Sequence, residues 1–382
     1  METLEIMQIL SQGEDSEHQF KRNINNSDAL AIEIIAFSNS LGGKIFIGVN
    51  DDGSVAGLTA DDVHRINLML SNAASQNVKP AVNPLTRITM IDNQRIMIID
   101  VPKGINKPYQ DKNGVIWVKS GADKRKATAR EEIQRLFQDS GSVHADASPI
   151  HNSTVNDIDQ NVFNRFFKEE FEESPEDQGI PLINILENMN LAKNGELNLA
   201  GMLLFGKNNK FKLPVFLVKC VCYPGKDVHE KEYLESQDNT GTLSEVFQQT
   251  NAFMNRNIRS LQGEQGVNSI GVKEIPKIVF EELITNALIH RNYFISAPIR
   301  IFIFSDRIEI ISPGHLPNNL TIDNIKSGNS NIRNPVLTSF ATKLLPYRGL
   351  GNGIRRALKA YPHIDFIDDR DGNLFKCVIG RR

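Results

Sequence analysis

The sequence predicts an α+β protein with more than one domain. Its 382 residues are enough for two or three domains that each bury a core. Segments with helical periodicity are interspersed with segments with strand periodicity along the whole chain. A polar, aperiodic stretch at residues 141–156 is typical of a linker between folded domains.

On these grounds we divide the chain into four segments. An N-terminal α/β domain covers 1–140, the linker covers 141–156, a connecting α/β region covers 157–265, and a C-terminal domain covers 266–382. In the first domain we expect helices at 28–40, 59–73 and 128–138, with strands at 44–49, 85–91, 95–101 and around Trp117. In the last domain we expect helices at 276–291, 335–344 and 354–361, with strands at 298–304, 307–312, 364–367 and 374–379.

Bulk composition excludes several classes of protein. The net charge of −3 gives no overall bias toward nucleic acid or membrane, so any such binding must come from a local patch. The three cysteines show no CxxC or paired zinc spacing, and Cys220 and Cys222 lie in an apolar run typical of buried thiols. With no signal-peptide pattern and no apolar run of membrane-spanning length, we expect a cytoplasmic protein without a membrane partner.

The predicted helix Pro276–Arg291 has two different faces. Its apolar residues recur at spacings of three and four, which is typical of a face packed on a core. Glu282, Asn286 and His290 are spaced by four and therefore align on the opposite face. A solvated polar face would explain this pattern, but asparagine is a poor helix former in a helix interior, which favours a function for Asn286.

Two glycine turns follow this helix. The first, ISPGHLP, contains Ser312 and Gly314 and comes directly after a predicted strand. In the second, YRGLGNGIRRAL, Gly349, Gly351 and Gly353 alternate immediately before a helix. Small residues there let backbone N–H groups approach phosphate oxygens at a helix N-terminus, although such a pattern also occurs in ordinary caps and turns.

Four motifs occur in order: EELITNALIHRNY, DRIEIISPGHLP, IRNP and RGLGNGI. In order and spacing they resemble the GHKL-type ATP-binding domain of RecG-like, Schlafen-associated bacterial regulators. A more distant resemblance extends to the ATPase sites of gyrase B, histidine kinases and Hsp90. This resemblance implies a Bergerat-type α/β sandwich that binds ATP and Mg²⁺. The chain contains no GxxxxGK[ST] P-loop, so the sequence does not support the helicase label sometimes attached to this family.

The resemblance implies roles for individual residues. Glu282 corresponds to the glutamate that activates water, if hydrolysis occurs, and Asn286 to the asparagine that holds Mg²⁺ against the phosphates. Gly314 corresponds to a glycine against adenine. The remaining implied nucleotide residues are the phosphate-cradling Gly349, Gly351 and Gly353, and Arg333 and Asn334 in a lid element.

One position departs from the wider GHKL pattern. Most GHKL proteins have an aspartate at the start of the first glycine turn, where it accepts a proton from the adenine amino group, whereas this chain has Ser312. A neutral hydroxyl is a weaker acceptor than a carboxylate. Ser312 therefore leaves adenine selectivity open and favours a low affinity for ATP, and whether ATP is hydrolysed also stays open.

The N-terminal segment carries a second set of motifs. GEDSEHQFKRNI, AFSNSLGGKIFIGVNDDGSVAGL and WVKSGADKRKATAREEI resemble the Schlafen-type AlbA-like domain, which is associated with binding DNA or RNA. Some members of that family cut RNA with three carboxylates. The corresponding positions here are Glu14, Gln19 and Asp51, and Gln19 removes one charge from the cluster that would hold metal.

Basic residues are concentrated in the same domain. They could neutralise nucleic-acid phosphates or simply form a solvated loop after a strand. The resemblance favours phosphate binding, with Lys21, Arg22, Lys119, Lys124, Arg125, Lys126 and Arg130 as the candidate contacts.

Together these motifs predict an ATP-responsive, nucleic-acid-binding regulator of transcription or of defence, in a dimer or larger homo-oligomer. In this hypothesis, nucleotide closes the loop between Ser312 and Arg348 and alters domain packing or subunit contacts. Two alternatives remain: a Schlafen-like metal-dependent ribonuclease gated by ATP, and a non-hydrolysing GHKL scaffold.

Overall fold

The computed structural model describes residues 3–229, 232–261, 271–317, 320–349 and 351–381. The chain divides into two compact units, Met1–Val143 and His144–Arg382, which we call unit 1 and unit 2. The boundary predicted between residues 265 and 266 lies outside the described residues.

Unit 1 contains four α-helices and eight strands in its described part. The helices are α1 Thr3–Gln12, α2 Ser27–Asn39, α3 Ala60–Asn72, which continues into a π-helical turn at Ala73–Asn77, and α4 Arg130–Asp139. The strands are β1 His18–Lys21, β2 Gly43–Ile47, β3 Val78–Lys79, β4 Leu85–Ile91, β5 Gln94–Val101, β6 Gln110–Asp111, β7 Trp117–Ser120 and β8 Asp123–Lys126.

A four-stranded sheet in the order β1-β2-β5-β4 forms the centre of unit 1. Only β1 and β2 are parallel in it. Because successive strand residues point to opposite faces, β2 buries Ile45 and Ile47 in a core shared with α2 and α3, and Phe46 in a second core with Ile6 and Leu10 of α1. Helices therefore cover both faces of the sheet.

Unit 2 contains nine α-helices and ten strands in its described part. The helices are α5 Gln160–Phe171, α6 Leu182–Asn188, α7 Leu199–Phe205, α8 Asn209–Lys212, α9 Leu243–Asn257, α10 Lys277–His290, α11 Ile322–Lys326, α12 Pro335–Leu344 and α13 Gly353–Ala360. The strands are β9 Ala192–Lys193, β10 Glu196–Leu197, β11 Val218–Cys222, β12 Glu235–Asn239, β13 Ser260–Leu261, β14 Val272–Lys273, β15 Ile299–Ile303, β16 Arg307–Pro313, β17 Ile364–Asp369 and β18 Leu374–Gly380.

The main sheet of unit 2 has six strands in the order β12-β11-β15-β16-β18-β17. Only β11 and β15 are parallel. A continuous row of paired, buried residues crosses the sheet, namely Cys220, Ile301, Ile310, Cys377 and Phe366. This row belongs to a single hydrophobic core with α7, α9, α10, α12 and α13, so unit 2 is an α/β sandwich.

The fold class predicted from the sequence is confirmed, because helices and sheets are mixed in both units. In unit 2 the structure joins two of the predicted segments. Strands β11 and β12 from the predicted connecting region 157–265 pair in the same sheet as β15 from the predicted C-terminal domain. Alternate residues of β11 and β15 are buried in the same hydrophobic cluster, so the two segments share one core.

The predicted linker 141–156 contains ordered structure. Ala145–Ala147 forms a short 3₁₀ helix, and the Asp146 side chain is fully buried. Its carboxylate accepts a 2.9 Å hydrogen bond from the backbone N–H of Leu337, at the start of α12. An anion at a helix N-terminus satisfies an otherwise unpaired donor. This bond fixes the segment Ala145–Ala147 to α12 within unit 2.

Several elements were not foreseen, and three of them lie in polar segments. The basic segment after β7, weighed as a solvated loop, forms β8 of a hairpin with β7. The polar stretch before α9 contains the edge strand β12, and the long loop after β16 contains α11. Polar composition concealed these elements, since strands and helices at an edge need only one buried face.

No helix in the described ranges is long and apolar enough to cross a membrane. Cys220, Cys222 and Cys377 are free thiols and all three are buried, as predicted for the first two. Burial raises the pKa of Cys220 and Cys377 to about 12, so both remain protonated and unreactive at neutral pH.

Candidate functional site

Helix α10 buries almost its whole surface. Its predicted apolar residues are all buried, and Glu282 on the opposite face is only 4% exposed. Asn286 and His290 are half-buried. The polar face is therefore not solvated, and a second part of unit 2 must cover it.

That cover encloses a cavity of about 630 Å³, which we call the α10–α13 cavity. Its size falls in the range of small-molecule and cofactor sites. The predicted nucleotide residues that line it are Glu282, Asn286, Ser312, Gly314, Arg333, Gly349, Gly351 and Gly353. The tertiary structure thus brings both glycine turns and the polar face of α10 to one place.

Glu282 is held by a residue that the sequence did not single out. Its Oε1 lies 2.5 Å from Nη2 of Arg356, and the Glu282 side chain is 5% exposed. Burial raises the pKa of Glu282, and the positive charge of Arg356 opposes that rise. A buried carboxylate of raised basicity can accept a proton from water.

The second glycine turn approaches α10 closely. A Cβ at Gly353 would overlap Oε2 of Glu282 and would lie 3.4 Å from Nδ2 of Asn286. Glycine leaves room for this contact without displacing the Glu282 carboxylate. Gly349 and Gly351 have φ of +64° and +67°, in the left-handed region that glycine adopts without strain.

The cavity residues fit a bound nucleotide. Nδ2 of Asn286 is buried without a hydrogen-bond partner, so a ligand acceptor could satisfy it, or the amide could turn its oxygen toward a metal ion. Mg²⁺ prefers six oxygen ligands, of which water and phosphate usually supply several. Asn286 offers one, and the described residues contain no group of three or more metal-ligating His, Cys, Asp or Glu side chains. The side chains therefore fit Mg²⁺ only as an ion that phosphates also ligate.

The sheet side of the cavity is mainly apolar. Ile310, Phe366, Phe375 and Cys377 line it, with Ser312 beside them on β16. Ser312 is buried, at 7% exposure. Among the described lining residues the only carboxylate is Glu282, which lies on α10. The sheet side of the cavity therefore has no carboxylate that could accept a hydrogen bond from a nucleobase.

Arg333 and Asn334 take different positions. Arg333 lines the cavity, and its guanidinium donates to the backbone oxygens of His290 and His315. Asn334 does not line it. This residue is fully buried, and its Nδ2 donates to the backbone oxygens of Ile289 and Arg291 at 2.8 and 2.9 Å. Asn334 therefore satisfies carbonyls at the end of α10 in the protein interior and is not part of a lid.

The cavity is strongly cationic, which the sequence motifs did not indicate. Four lining residues carry positive charge without having been predicted as site residues: Arg348, Arg355, Arg356 and Lys359. Arg355 and Arg356 occupy the first turn of α13, which has no acidic residue. Glu282 neutralises Arg356, whereas the charge of Arg355 adds to the positive end of the helix dipole, an arrangement that attracts a polyanion.

The two basic residues that end α10 have separate roles. His290 lines the cavity, and burial lowers its pKa to about 4, so the ring is neutral at neutral pH. Its Nε2 lies 3.3 Å from the hydroxyl of Tyr347. Arg291 is buried between the rings of Phe216 and Tyr293, so it is a structural residue of the core.

In unit 1, the cross-strand pair Lys119 and Lys124 points toward α2. Nζ of Lys119 lies 4.8 Å from the centre of the Phe37 ring and donates to Oε1 of Gln19 at 2.8 Å. Nζ of Lys124 pairs with the buried Glu33 at 2.5 Å. Both lysines therefore have structural partners.

The other predicted basic residues differ in how free their charges are. Arg125 donates two hydrogen bonds to the carboxylate of Glu132, at 2.6 and 2.9 Å. Lys21 lies 3.7 Å from Glu14. Arg22, Lys126 and Arg130 are exposed, and no acidic residue pairs with them in the described part of unit 1. Nζ of Lys126 lies 5.4 Å from the centre of the Trp117 ring, so the charges of Arg22 and Arg130 are the most available to phosphate.

The carboxylate positions of the nuclease alternative do not form a metal cluster in the described residues. Oε1 of Glu14 accepts hydrogen bonds from Nε2 of Gln19 at 2.5 Å and from the backbone N–H of Phe20 at 2.7 Å. Asp51 is exposed in the turn after β2. The amide of Gln19 thus bridges Glu14 and Lys119 and closes a polar network.

These features define a chain of two domain types, a helix-covered mixed sheet and an α/β sandwich with a cationic cavity. Residues 14–128 match the family described as "Schlafen, AlbA_2", and residues 296–369 match "Putative ATP-dependent DNA helicase recG C-terminal". Both resemblances drawn from the motifs are confirmed. Glu282 and Asn286 precede the second matched range, so their roles depend on the cavity geometry.

The intervening residues 134–216 match a domain of unknown function. Among solved structures, the DIP2311 protein from Corynebacterium diphtheriae is similar at 20% identity and a TM-score of 0.49, over 96% of this chain and 76% of that one. The N-terminal domain of a RecG-related protein from Nitrosomonas europaea is similar at 21% identity and a TM-score of 0.24, over 33% of this chain and 94% of that one. No curated protein matches the chain.

Proposed function

We propose that this protein is an ATP-binding regulator that also binds nucleic acid. The α10–α13 cavity takes the nucleotide together with Mg²⁺, and unit 1 takes DNA or RNA. The observation that carries the proposal is the meeting of α10, both glycine turns and several cations in one cavity of nucleotide size. The match to a family named for an ATP-dependent protein supports the same function.

The charge of the cavity favours a polyphosphate. Arg333, Arg348, Arg355, Arg356 and Lys359 line it, against the one carboxylate of Glu282 that Arg356 already neutralises. Backbone N–H groups at the start of α13 add donors for phosphate oxygens. Since the apolar wall beside Ser312 carries no acceptor carboxylate, we propose that the site discriminates weakly between adenine and guanine.

The direct test is calorimetric titration of the full chain with ATP, with Mg²⁺ and with EDTA. We expect Asn286→Ala to raise the Kd for Mg·ATP by at least about 10- to 100-fold, because loss of a direct ligand costs no less than loss of a residue that only orients a ligand. In EDTA the wild type and Asn286→Ala are expected to bind ATP equally weakly, because Asn286 acts through the ion.

A titration in which the wild type binds no nucleotide, with Asn286→Ala unchanged, would favour a non-hydrolysing scaffold and end the proposal. A titration in which Asn286→Ala weakens binding equally with and without Mg²⁺ would remove the metal role but leave the nucleotide site.

Arg22 and Arg130, which are exposed and have no acidic partner among the described residues of unit 1, support nucleic-acid binding there. Phosphate contacts add a salt-dependent affinity, and each lost contact reduces the slope of log K against log salt by about one. We expect Arg22→Ala combined with Arg130→Ala to weaken binding of labelled duplex DNA or RNA and to lower this slope by about two, measured by fluorescence anisotropy across a salt series.

The matched control is Arg125→Ala, since Glu132 already neutralises that guanidinium. Its salt slope is expected to stay close to that of the wild type. A slope lowered by Arg125→Ala but not by the Arg22/Arg130 variant would contradict the assignment. We further propose that the protein is cytoplasmic, acts as a homo-oligomer, and regulates transcription or defence.

A further inference from the structure

The pair between Glu282 and Arg356 joins two elements that are distant in sequence. Glu282 lies in α10 and Arg356 in the first turn of α13. The Glu282 side chain is 5% exposed and the Arg356 side chain 35% exposed, so the carboxylate is enclosed while the guanidinium reaches it from the cavity.

The placement of Arg356 is costly for the helix that carries it. A cation in the first turn opposes the helix dipole, which favours anions there. Nε of Arg356 is also buried without a hydrogen-bond partner. Neither feature stabilises α13, and such local conflicts are most often found where a side chain serves function.

Helix α13 also approaches the second carboxylate oxygen. Arg356 binds Oε1, while Gly353 lies so close to Oε2 that a Cβ there would overlap it. The first turn of α13 therefore lies against both oxygens of the Glu282 carboxylate and holds one of them through Arg356. The same turn follows directly on the glycines that are proposed to cradle phosphate.

We propose that Arg356 is a positioning residue that orients Glu282 toward the water that attacks the terminal phosphate. The inference depends on the proposed nucleotide site. In the reaction, water oxygen forms a bond to the terminal phosphorus, the bond from that phosphorus to the bridging oxygen breaks, and the bridging oxygen keeps the electron pair on the diphosphate. Glu282 accepts the proton that water loses, and the products are nucleoside diphosphate and inorganic phosphate.

This arrangement couples the base to the phosphate-binding turn. A phosphate bound by this turn would hold α13 in place, and with it the carboxylate of Glu282. A side chain that only stabilised the fold would affect affinity and turnover together. A positioning residue affects turnover and leaves affinity nearly intact.

The test uses the full chain with Mg·ATP and measures Kd by calorimetry and kcat by phosphate release. We expect Arg356→Gln to lower kcat by about 10- to 100-fold, the effect of a small misplacement of a reacting group, while Kd changes by less than about threefold. Arg356→Lys keeps a charge that can reach Oε1, so it is expected to recover part of the lost kcat.

Arg355→Gln is the comparison variant, because it removes the same charge from the same turn, and no pair of Arg355 with Glu282 is seen in the described residues. Its main expected effect is a raised Kd, with a loss of kcat at least about tenfold smaller than that of Arg356→Gln. If the thermal transition shows that Arg356→Gln does not fold, Arg356→Lys replaces it. Its kcat is then expected to be lower than that of the wild type while its Kd stays nearly unchanged.

Equal losses of kcat in the two glutamine variants would overturn the inference. So would wild-type protein that binds ATP without hydrolysing it, and in that case the proposed nucleotide site would stand. Absence of nucleotide binding in the wild type would overturn the proposed function itself.

Discussion

Replacing Gly351 with alanine is expected to raise the Kd for Mg·ATP by at least about tenfold, which corresponds to about 1.4 kcal/mol. A Cβ at this position would overlap the backbone oxygen of Gly328, and backbone cannot move aside as a flexible side chain can. The turn that contains Gly351 must therefore shift, and its N–H groups would no longer face the phosphates. Calorimetric titration with ATP and Mg²⁺ measures the change.

Gly349→Ala is a closely matched control. Gly349 has a φ of +64° and Gly351 a φ of +67°, so alanine has almost the same backbone strain at both positions. The nearest atoms to a Cβ at Gly349 are side-chain carbons of Thr342 and Tyr347 at 3.7 Å, an ordinary contact. We expect Gly349→Ala to bind Mg·ATP within about threefold of the wild type. Its backbone strain equals that of Gly351→Ala, but its Cβ would clash with no backbone atom. Equal losses in both variants would show that strain, not the clash with Gly328, determines the result.

Replacing Arg381 with methionine is expected to destabilise unit 2 by about 3–5 kcal/mol, the usual consequence of removing one partner of a buried ion pair. The side chains of Arg381 and Glu274 are 5% and 1% exposed, and Nη2 of Arg381 lies 2.7 Å from Oε1 of Glu274. The variant leaves Glu274 buried without its countercharge. Arg381, directly after β18, also donates to the backbone oxygen of Phe304, directly after β15. It therefore joins the ends of these two strands.

Urea denaturation followed by circular dichroism measures this loss. The only tryptophan of the chain, Trp117, lies in unit 1, so its fluorescence reports a different part of the molecule. Arg256→Met is the control, because Arg256 and Glu235 form an exposed pair at 2.7 Å with side chains 50% and 33% exposed. Exposed pairs contribute about 0–1 kcal/mol, and a loss as large as that of Arg381→Met would contradict the role of burial.

Much of the fold was predictable from local patterns. The predicted strand at 85–91 and helix at 335–344 agree with β4 and α12 at both ends. The four-residue spacing of Glu282, Asn286 and His290 predicted one shared helix face, and all three side chains line one cavity. These predictions succeed because side-chain periodicity is a property of one element and needs no knowledge of its neighbours.

Predictions that needed a partner from elsewhere in the chain were less complete. Lys124 and Arg125 are adjacent in a basic run, yet Lys124 pairs with Glu33 of α2 and Arg125 with Glu132 of α4. Successive residues of β8 point to opposite faces, so a single charge cluster in the sequence is divided between two environments. The sequence showed the charges but not which of them are neutralised.

The residue types of the cavity, its helix face and its glycine turns were determined by the sequence alone. Tertiary structure decided that Asn334 satisfies the carbonyls at the end of α10 and that Arg356 holds Glu282. The physical reason is that hydrogen-bond and ion-pair partners are set by the packing of α10, α12 and α13 on one sheet. Periodicity indicates which face a residue occupies, and only packing determines what that face meets.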